Sequence, residues 1–503
     1  MLTCIFPQLN QNKAVSLLKR FFAGWYYIAF IALVTACAGL FGGEVFVYYV
    51  YALAAVVMAL FSDDTLPAVP IVCCAYFSVA AKNNPSRQYN PYRFESASLN
   101  QPYYLVNVII VISIIFLAVA ARLVYDFGFR KDKGGRGKGK PALLWGFVAL
   151  GAGYILAGVG GDKYGWNSVF FGFIQIVSIS ICYFLFYYTV DWDNVEEGYI
   201  FKVMIAMGVV LVLETIAMYF NPGVFKEGGS IDRYMLSPGW GTYNNIGNAL
   251  AMSMPAPFYF AIKKKRGWLY SLLAGAFFIA VVFTQSRAAM MFAAVVLITG
   301  EVYVIIKTKG RERIGQFILV GAAIAAVGIL ALIARDKLAS VFSSIVNIGF
   351  SDGNGRERLY REAIQHFTQS VRSVFLGVGF FASTANSNSA GLEYTIAPPM
   401  YHDTILQMLA SGGIILLGIY LYHRWQTAKL LLYKTTAAHK IIALCILSLL
   451  LISLLDCHFF RIGPGLVYSV LLVVAEGLTM KNKRKAEAES KEEENSSQPP
   501  EKT

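Results

Sequence analysis

Charge is what this chain has least of. Of 503 residues, 30 are Asp or Glu and 43 are Lys or Arg, 15% together, while 57% are hydrophobic. So few charges cannot clothe a soluble domain of this length, and the apolar residues gather into runs of about 17 to 24, the length that crosses a bilayer as a helix. Cysteine offers no metal site either: Cys4, Cys37, Cys73, Cys74, Cys182, Cys445 and Cys457 lie in or beside the apolar runs without ligand spacing, and read as small packing residues. No cleavable leader is expected, since Phe21 to Phe41 is followed at once by more apolar sequence, so the first span is expected to serve as its own uncleaved signal. The glycine- and lysine-rich KDKGGRGKGK, residues 131–140, lacks both the GxxxxGK[ST] spacing and a preceding strand. It is not a nucleotide phosphate loop, and reads as a flexible positive segment facing anionic headgroups. No cofactor and no nucleic-acid partner is called for.

What is present is an all-α polytopic membrane protein. About fourteen spans (twelve to fourteen) are expected, near residues 22–41, 45–61, 66–80, 103–126, 142–160, 166–190, 200–220, 245–262, 267–284, 288–306, 314–334, 401–423, 441–457 and 463–479. Lys and Arg concentrate before the first span, in 131–140, in KKKR, in KTKGRER, in the 424–440 link and in the tail. The positive-inside rule makes those segments cytoplasmic, along with both termini, in the cytoplasmic membrane. The same rule turns Ser286, Gly353 and Ala390 outward. The chain then divides into a cytoplasmic N-terminus (1–21), N-terminal spans (22–220), a polar-featured region (221–424) containing a long outer loop (335–400), C-terminal spans (425–480), and a tail (481–503) too polar to pack and expected to be disordered.

The informative polar residues stand on the outer side. Arg287 opens a long apolar run in TQSRAAMMFAAVVLI, residues 284–298; such an arginine either snorkels to the interface or holds an anion. Arg233 precedes a glycine-rich turn that leads to Asn244 and Asn245 at the start of a span, where free N–H groups suit an anion and an Asn also suits a simple cap. In the long loop, Asn354 and Glu357 resemble a capping box, and Leu359, Tyr360, Ala363, Ile364, Phe367 and Val371 recur at helical spacing beside Arg356, Arg358 and Arg361. This amphipathic helix is expected on the outer surface, its arginines meeting lipid phosphate in general or a lipid-linked substrate in particular. With the polar stretch after Gly379 it would form a lid. His402, preceded by Tyr401, then opens the next span. Glu214 lies inside a span and is either functional or paired with a neighbouring helix.

Taken in order, Arg233 with its Gly-rich, Asn-ended turn, QSRAA, GRERLYREAI with a downstream LGVGF, and YHDTILQMLASGG resemble the bacterial O-antigen ligase and O-antigen polymerase superfamily over roughly residues 230–424. The resemblance implies a GT-C-type membrane glycosyltransferase. It would take glycan from an undecaprenyl-diphosphate carrier on the outer face of the cytoplasmic membrane and pass it to a glycan, lipid or protein acceptor. Arg233, Arg287 and His402 occupy the matching positions. Two departures stand out: Tyr243, Asn244 and Asn245 lack the proline of the family's Asn-Pro-Asn, and Asp403 replaces an Asn often found after the histidine.

The chemistry follows from the leaving group. Negative charge develops on the diphosphate, and with no metal-ligand cluster on the outer face, Arg233 and Arg287, helped by Asn245, are expected to clamp it. Arg356, Arg358 and Tyr401 are candidates for lid or donor contacts. His402 would accept the acceptor's proton, or else orient the donor phosphate, and in-line attack would invert the anomeric centre. The rival class is a flippase or transporter of lipid-linked oligosaccharide, which should set its polar groups near the midplane in a pseudo-repeat. No such repeat is visible.

Overall fold

The computed structural model describes residues 7–41, 44–79, 102–129, 135–220, 224–225, 231, 236, 243–333, 356–383, 400–433 and 435–496. Among them every regular element is helical, and the strand-like pairing is one isolated bridge from Phe225 to Ile231. Numbered in order, the helices are α1 (Lys13–Ala23), α2 (Trp25–Phe41), α3 (Glu44–Phe61), α4 (Ala68–Val79), α5 (Pro102–Val124), α6 (Leu144–Leu156), α7 (Trp166–Thr189), α8 (Tyr199–Met218) and α9 (Tyr243–Ser253). They continue with α10 (Ala256–Lys263), α11 (Trp268–Phe283), α12 (Arg287–Lys307), α13 (Gly310–Ile333), α14 (Arg356–Thr368), α15 (Val371–Leu376), α16 (Thr404–Leu432), α17 (Ala437–Ile452) and α18 (Ile462–Ser496).

The described residues do not confirm fourteen full spans. Among the described residues, seven helices are long and apolar enough to cross a membrane, or eight if α1 and α2, bent by 70° at their junction, count as one. Four more apolar helices are shorter, over residues 46–61, 144–156, 268–283 and 437–452. The thirteen residues of α6 rise only about 20 Å, against a hydrocarbon core about 30 Å thick. A hydropathy window averages across a break: the apolar run near 245–262 is two helices, parted at Met254 and Pro255, where proline brings no N–H to the helical ladder.

Burial ranks the spans. In α18, 83% of the apolar window is buried, against 6% in α13, so α18 is the central post and α13 leans on the rim against α11 and α12. Around α18 pack α7 and α4, while α6 joins α7 to α16. The other half gathers α9, α10 and α12 around α17.

Two expectations about the polar ends are corrected. The chain past Lys481 is helix through Ser496 rather than unstructured: Lys483 and Lys485 pair with Glu487 and Glu489 one turn on, Lys481 donates to the Val195 carbonyl at 2.8 Å, and Arg484 reaches Asp193 at 2.9 Å. Helical spacing of opposite charges and docking on a loop supply what an apolar face would otherwise provide. In the described part of the 131–140 run, Arg136 is buried and donates to the carbonyls of Thr189 (3.1 Å) and Asp63 (3.0 Å), so it ties loops together instead of facing headgroups.

Candidate functional site

The long helix that His402 introduces is not continuous. At Gly413 the backbone turns to φ +67°, ψ −166°, which breaks the helical ladder within α16 and leaves carbonyls upstream without helical partners. Two of them are taken by the LGVGF segment: Val378 N–H donates to Ala410 O at 2.8 Å and Gly379 N–H to Ser411 O at 2.9 Å. The approach is closer than any side chain allows. A Cβ on Gly377, itself at φ +68°, would lie 2.2 Å from the Ser411 carbonyl carbon, and one on Gly413 would lie 2.3 Å from that of Phe375. The glycines of LGVGF and of ASGG are thus halves of one backbone junction.

The first half-turn of α16 sets the histidine. Asp403 is its N-cap and accepts from Leu406 N–H at 2.8 Å, which gives this aspartate a structural task. Burial pushes its carboxyl up from the usual range. His402 itself sits at φ +56°, a conformation that a non-glycine residue holds only where the surroundings impose it. Its Nδ1 lies 3.0 Å from Asp456 Oδ1.

Asp456 was not singled out from the sequence. It falls in the turn between α17 and a one-turn helix at His458–Phe460, and it is buried. Its Oδ1 also accepts from Cys457 N–H at 2.8 Å, and its Oδ2 lies 3.4 Å from His458 Nε2. Thr404 N–H donates to Ser453 O at 3.0 Å and Phe459 N–H to Ser453 Oγ at 3.1 Å, which fastens this turn to the head of α16. Burial works against the Asp456 carboxylate, but the two imidazoles and the Arg461 guanidinium outweigh it and hold the group well below the usual carboxylate range. Burial pushes His458 down to about 4, so it is neutral at neutral pH. The available signal was an acid and a histidine, DCH, at the end of an apolar run otherwise free of charge.

The amphipathic helix expected after Asn354 forms as α14 and packs on α15 and α16. Leu359 and Ala363 are buried, and His366 Nδ1 meets the Tyr401 hydroxyl at 2.6 Å. Tyr401 is fully buried and therefore anchors α14 rather than offering itself to a ligand. Arg356, at the head of α14, is half-buried and close enough for its charge to act on His458 and Tyr360. Arg358 is exposed, and Arg361 pairs with Glu357 on the solvent side. The flap region past Ser383 and the start of the loop lie outside the described residues.

The other half of the site is built at the head of α12. Gln285, at φ +59°, turns the chain, Ser286 caps the helix start, and Arg287 is its first residue, half-buried and engaged with neighbours. Ser286 Oγ donates to Asn244 Oδ1 at 2.9 Å, which joins QSR to the YNN start of α9; Asn245, next to it, is buried and engaged. Gly247 makes the approach possible, because a Cβ there would lie 2.9 Å from both Ser286 Cβ and Thr284 Oγ1. Helix α12 runs against α17 with Lys307, its last residue, beside Lys440 in the first turn of α17. Arg287 therefore stands at the end of α17 that leads into Ser453 and Asp456. Arg233 lies outside the described residues.

Below the Asp456 turn is a second residue the sequence did not mark. The Arg424 guanidinium carbon is 4.8, 4.4 and 4.8 Å from the ring centres of Tyr420, Phe459 and Tyr468, and among the described residues its three buried nitrogens meet no carboxylate. Ring faces hold the cation in place of a carboxylate.

Against known proteins, the family described as O-antigen ligase matches over residues 272–421. That match covers less than a third of the chain, which over this stretch is similar to that family. With its apolar helices, the chain is an integral membrane protein. The matched stretch takes in Arg287, α14 and His402, and stops short of Asp456 on one side and of Asn245 on the other. No curated protein matches the chain.

Proposed function

We propose that the protein is a membrane glycosyltransferase, a glycan ligase or polymerase of GT-C type. It moves glycan from an undecaprenyl-diphosphate-linked donor to an acceptor hydroxyl on the outer face of the cytoplasmic membrane. The observation that carries this reading is the His402–Asp456 pair at the same end of α17 as Arg287. With its Nδ1 hydrogen directed at a carboxylate, an imidazole presents Nε2 as a bare lone pair, the arrangement of an oriented general base. The tautomer is assigned from that hydrogen bond.

In the proposed reaction His402 Nε2 takes the proton of the acceptor hydroxyl as its oxygen attacks the anomeric carbon. The bond from that carbon to the diphosphate oxygen breaks, and its electron pair leaves with the diphosphate. Attack opposite the leaving group inverts the centre. Arg287 and Arg233, with Asn245, hold the departing charge, since planar guanidiniums match phosphate oxygens in pairs and stay charged throughout. Arg356, over the His402 end, is the member of α14 suited to touch donor phosphate.

The test is transfer by purified protein in lipid nanodiscs, with an undecaprenyl-diphosphate oligosaccharide as donor and product size as the readout. Arg287→Ala should lower the rate on the order of 100- to 1,000-fold, and Arg287→Lys should recover only part of it. Full activity in Arg287→Ala sinks the site. Loss of activity with a chelator and its return with magnesium sinks charge stabilisation by arginine alone. In a background without native cysteines, labelling of Gln369→Cys, but not Lys138→Cys, both exposed positions, by an impermeant thiol reagent in intact cells tests the outward orientation.

A further inference from the structure

Asp456 has two oxygens, and the pair with His402 uses one. The other faces His458, which is buried to 1% exposure, with Nε2 at 3.4 Å. A neutral imidazole bearing its hydrogen on Nε2 turns it toward that oxygen across a contact longer than an ordinary hydrogen bond and leaves Nδ1 as a bare acceptor, and among the described residues Nδ1 is buried without a hydrogen-bond partner. A histidine buried for packing alone has no reason to leave one nitrogen unsatisfied while aiming the other at a carboxylate already bonded to a second histidine. Around the trio of His402, Asp456 and His458 stand Asp403 at the head of α16, Arg356 and Tyr360 on α14, and Cys457 and Arg461 in the turn itself. Among the described residues Arg461 makes no ion pair within 4 Å and buries Nε without a hydrogen-bond partner, so His458 supplies the directed contact on the second oxygen.

We propose that His458 is a positioning residue. It grips the second oxygen of Asp456, fixes the plane of the carboxylate, and through it sets the orientation and proton affinity of His402. This rests on the reading of His402 as the base, but only for its functional meaning; the coupling is a property of the turn. The effect has a sign. Without a donor on Oδ2, carboxylate charge is less satisfied and attracts a proton on His402 more strongly, so His402 stays protonated to higher pH.

That coupling is measurable without a substrate. His402 is one-third exposed, whereas His423, His439 and His458 are buried and His366 is bonded to Tyr401. Diethyl pyrocarbonate, which attacks only neutral imidazole, is therefore the probe. Its rate of addition to His402 in the full chain in detergent is followed by peptide mass spectrometry between about pH 5 and 8, a window that brackets an ordinary imidazole. His458→Gln places an amide donor where Nε2 stood and should keep the wild-type midpoint. His458→Met, similar in bulk and without a donor, should raise the midpoint by about half a unit or more. If the Met variant does not fold, His458→Asn, whose shorter amide cannot reach Oδ2, replaces it with the same expectation.

Equal midpoints in the donor-bearing and donor-lacking variants overturn the proposal and leave His458 as packing. The transfer assay separates the two levels. Full transfer by His402→Ala would remove the proposed function while the modification result stands. An inactive His402→Ala together with unmoved midpoints would remove only the role of His458.

Discussion

His402 Nδ1 and Asp456 Oδ1 are 3.0 Å apart across 54 residues of sequence, brought together because the turn after α17 is bonded to the head of α16 through Ser453. The two polar half-sites are therefore not independent. Any change that shifts this turn moves the histidine and the carboxylate together.

Asp456→Asn should reduce transfer on the order of 100-fold with little change in donor affinity. It keeps the shape of the side chain and removes the charge that fixes the His402 tautomer. Steady-state rates with donor titration check this, and a variant changed only in donor affinity would contradict it.

Acid should destabilise the turn in a defined window. Because burial lowers His458 to about 4 from an ordinary value near 6.5, the folded protein holds fewer protons than the unfolded one between those limits. Stability is intact above about pH 6.5 and falls as pH drops toward 4, by up to about 3 kcal/mol. Asp456 has the opposite cause and a lower window: its depressed carboxyl loses its contribution only below the ordinary carboxylate value. Thermal unfolding of the solubilised protein should show the upper window in wild type and a smaller one in His458→Gln.

Arg356 and Arg358 should behave differently although they are two residues apart. Arg356 is half-buried toward the His402 end and Arg358 is exposed. Arg356→Ala should weaken binding of an undecaprenyl-diphosphate oligosaccharide several-fold, and Arg358→Ala should leave it near wild type; equal losses would point to a surface attraction shared by all charges on α14.

Gly377→Ala should fail structurally. At φ +68°, ψ −169°, a region held essentially by glycine alone, an L residue costs on the order of 1 to 3 kcal/mol, and the added carbon would also overlap the Ser411 backbone. Size-exclusion profiles in detergent should show aggregation or a sharply lowered melting temperature, whereas Gly418→Ala, whose added carbon meets nothing within 4 Å, should not.

By itself the sequence determined the class of this protein. Sparse charge and long apolar runs leave helices in a membrane as the physical solution, and QSR, YNN, LGVGF and YHD marked where polar chemistry interrupts them. Arg287 and Asn245 could be singled out because a cation or amide at the mouth of an apolar run is costly wherever the chain goes. The number of full spans could not be read, since hydropathy measures the solvent a segment prefers and not whether Pro255 or Gly413 breaks its ladder. Asp456, His458 and Arg424 belong to the tertiary structure alone. Each looks like an incidental polar residue at or near the end of an apolar run until a distant partner arrives: His402 for Asp456, the free carboxylate oxygen for His458, three aromatic rings for Arg424. Such partners are set by how α16, α17 and α18 meet in space, and neither composition nor periodicity carries that information.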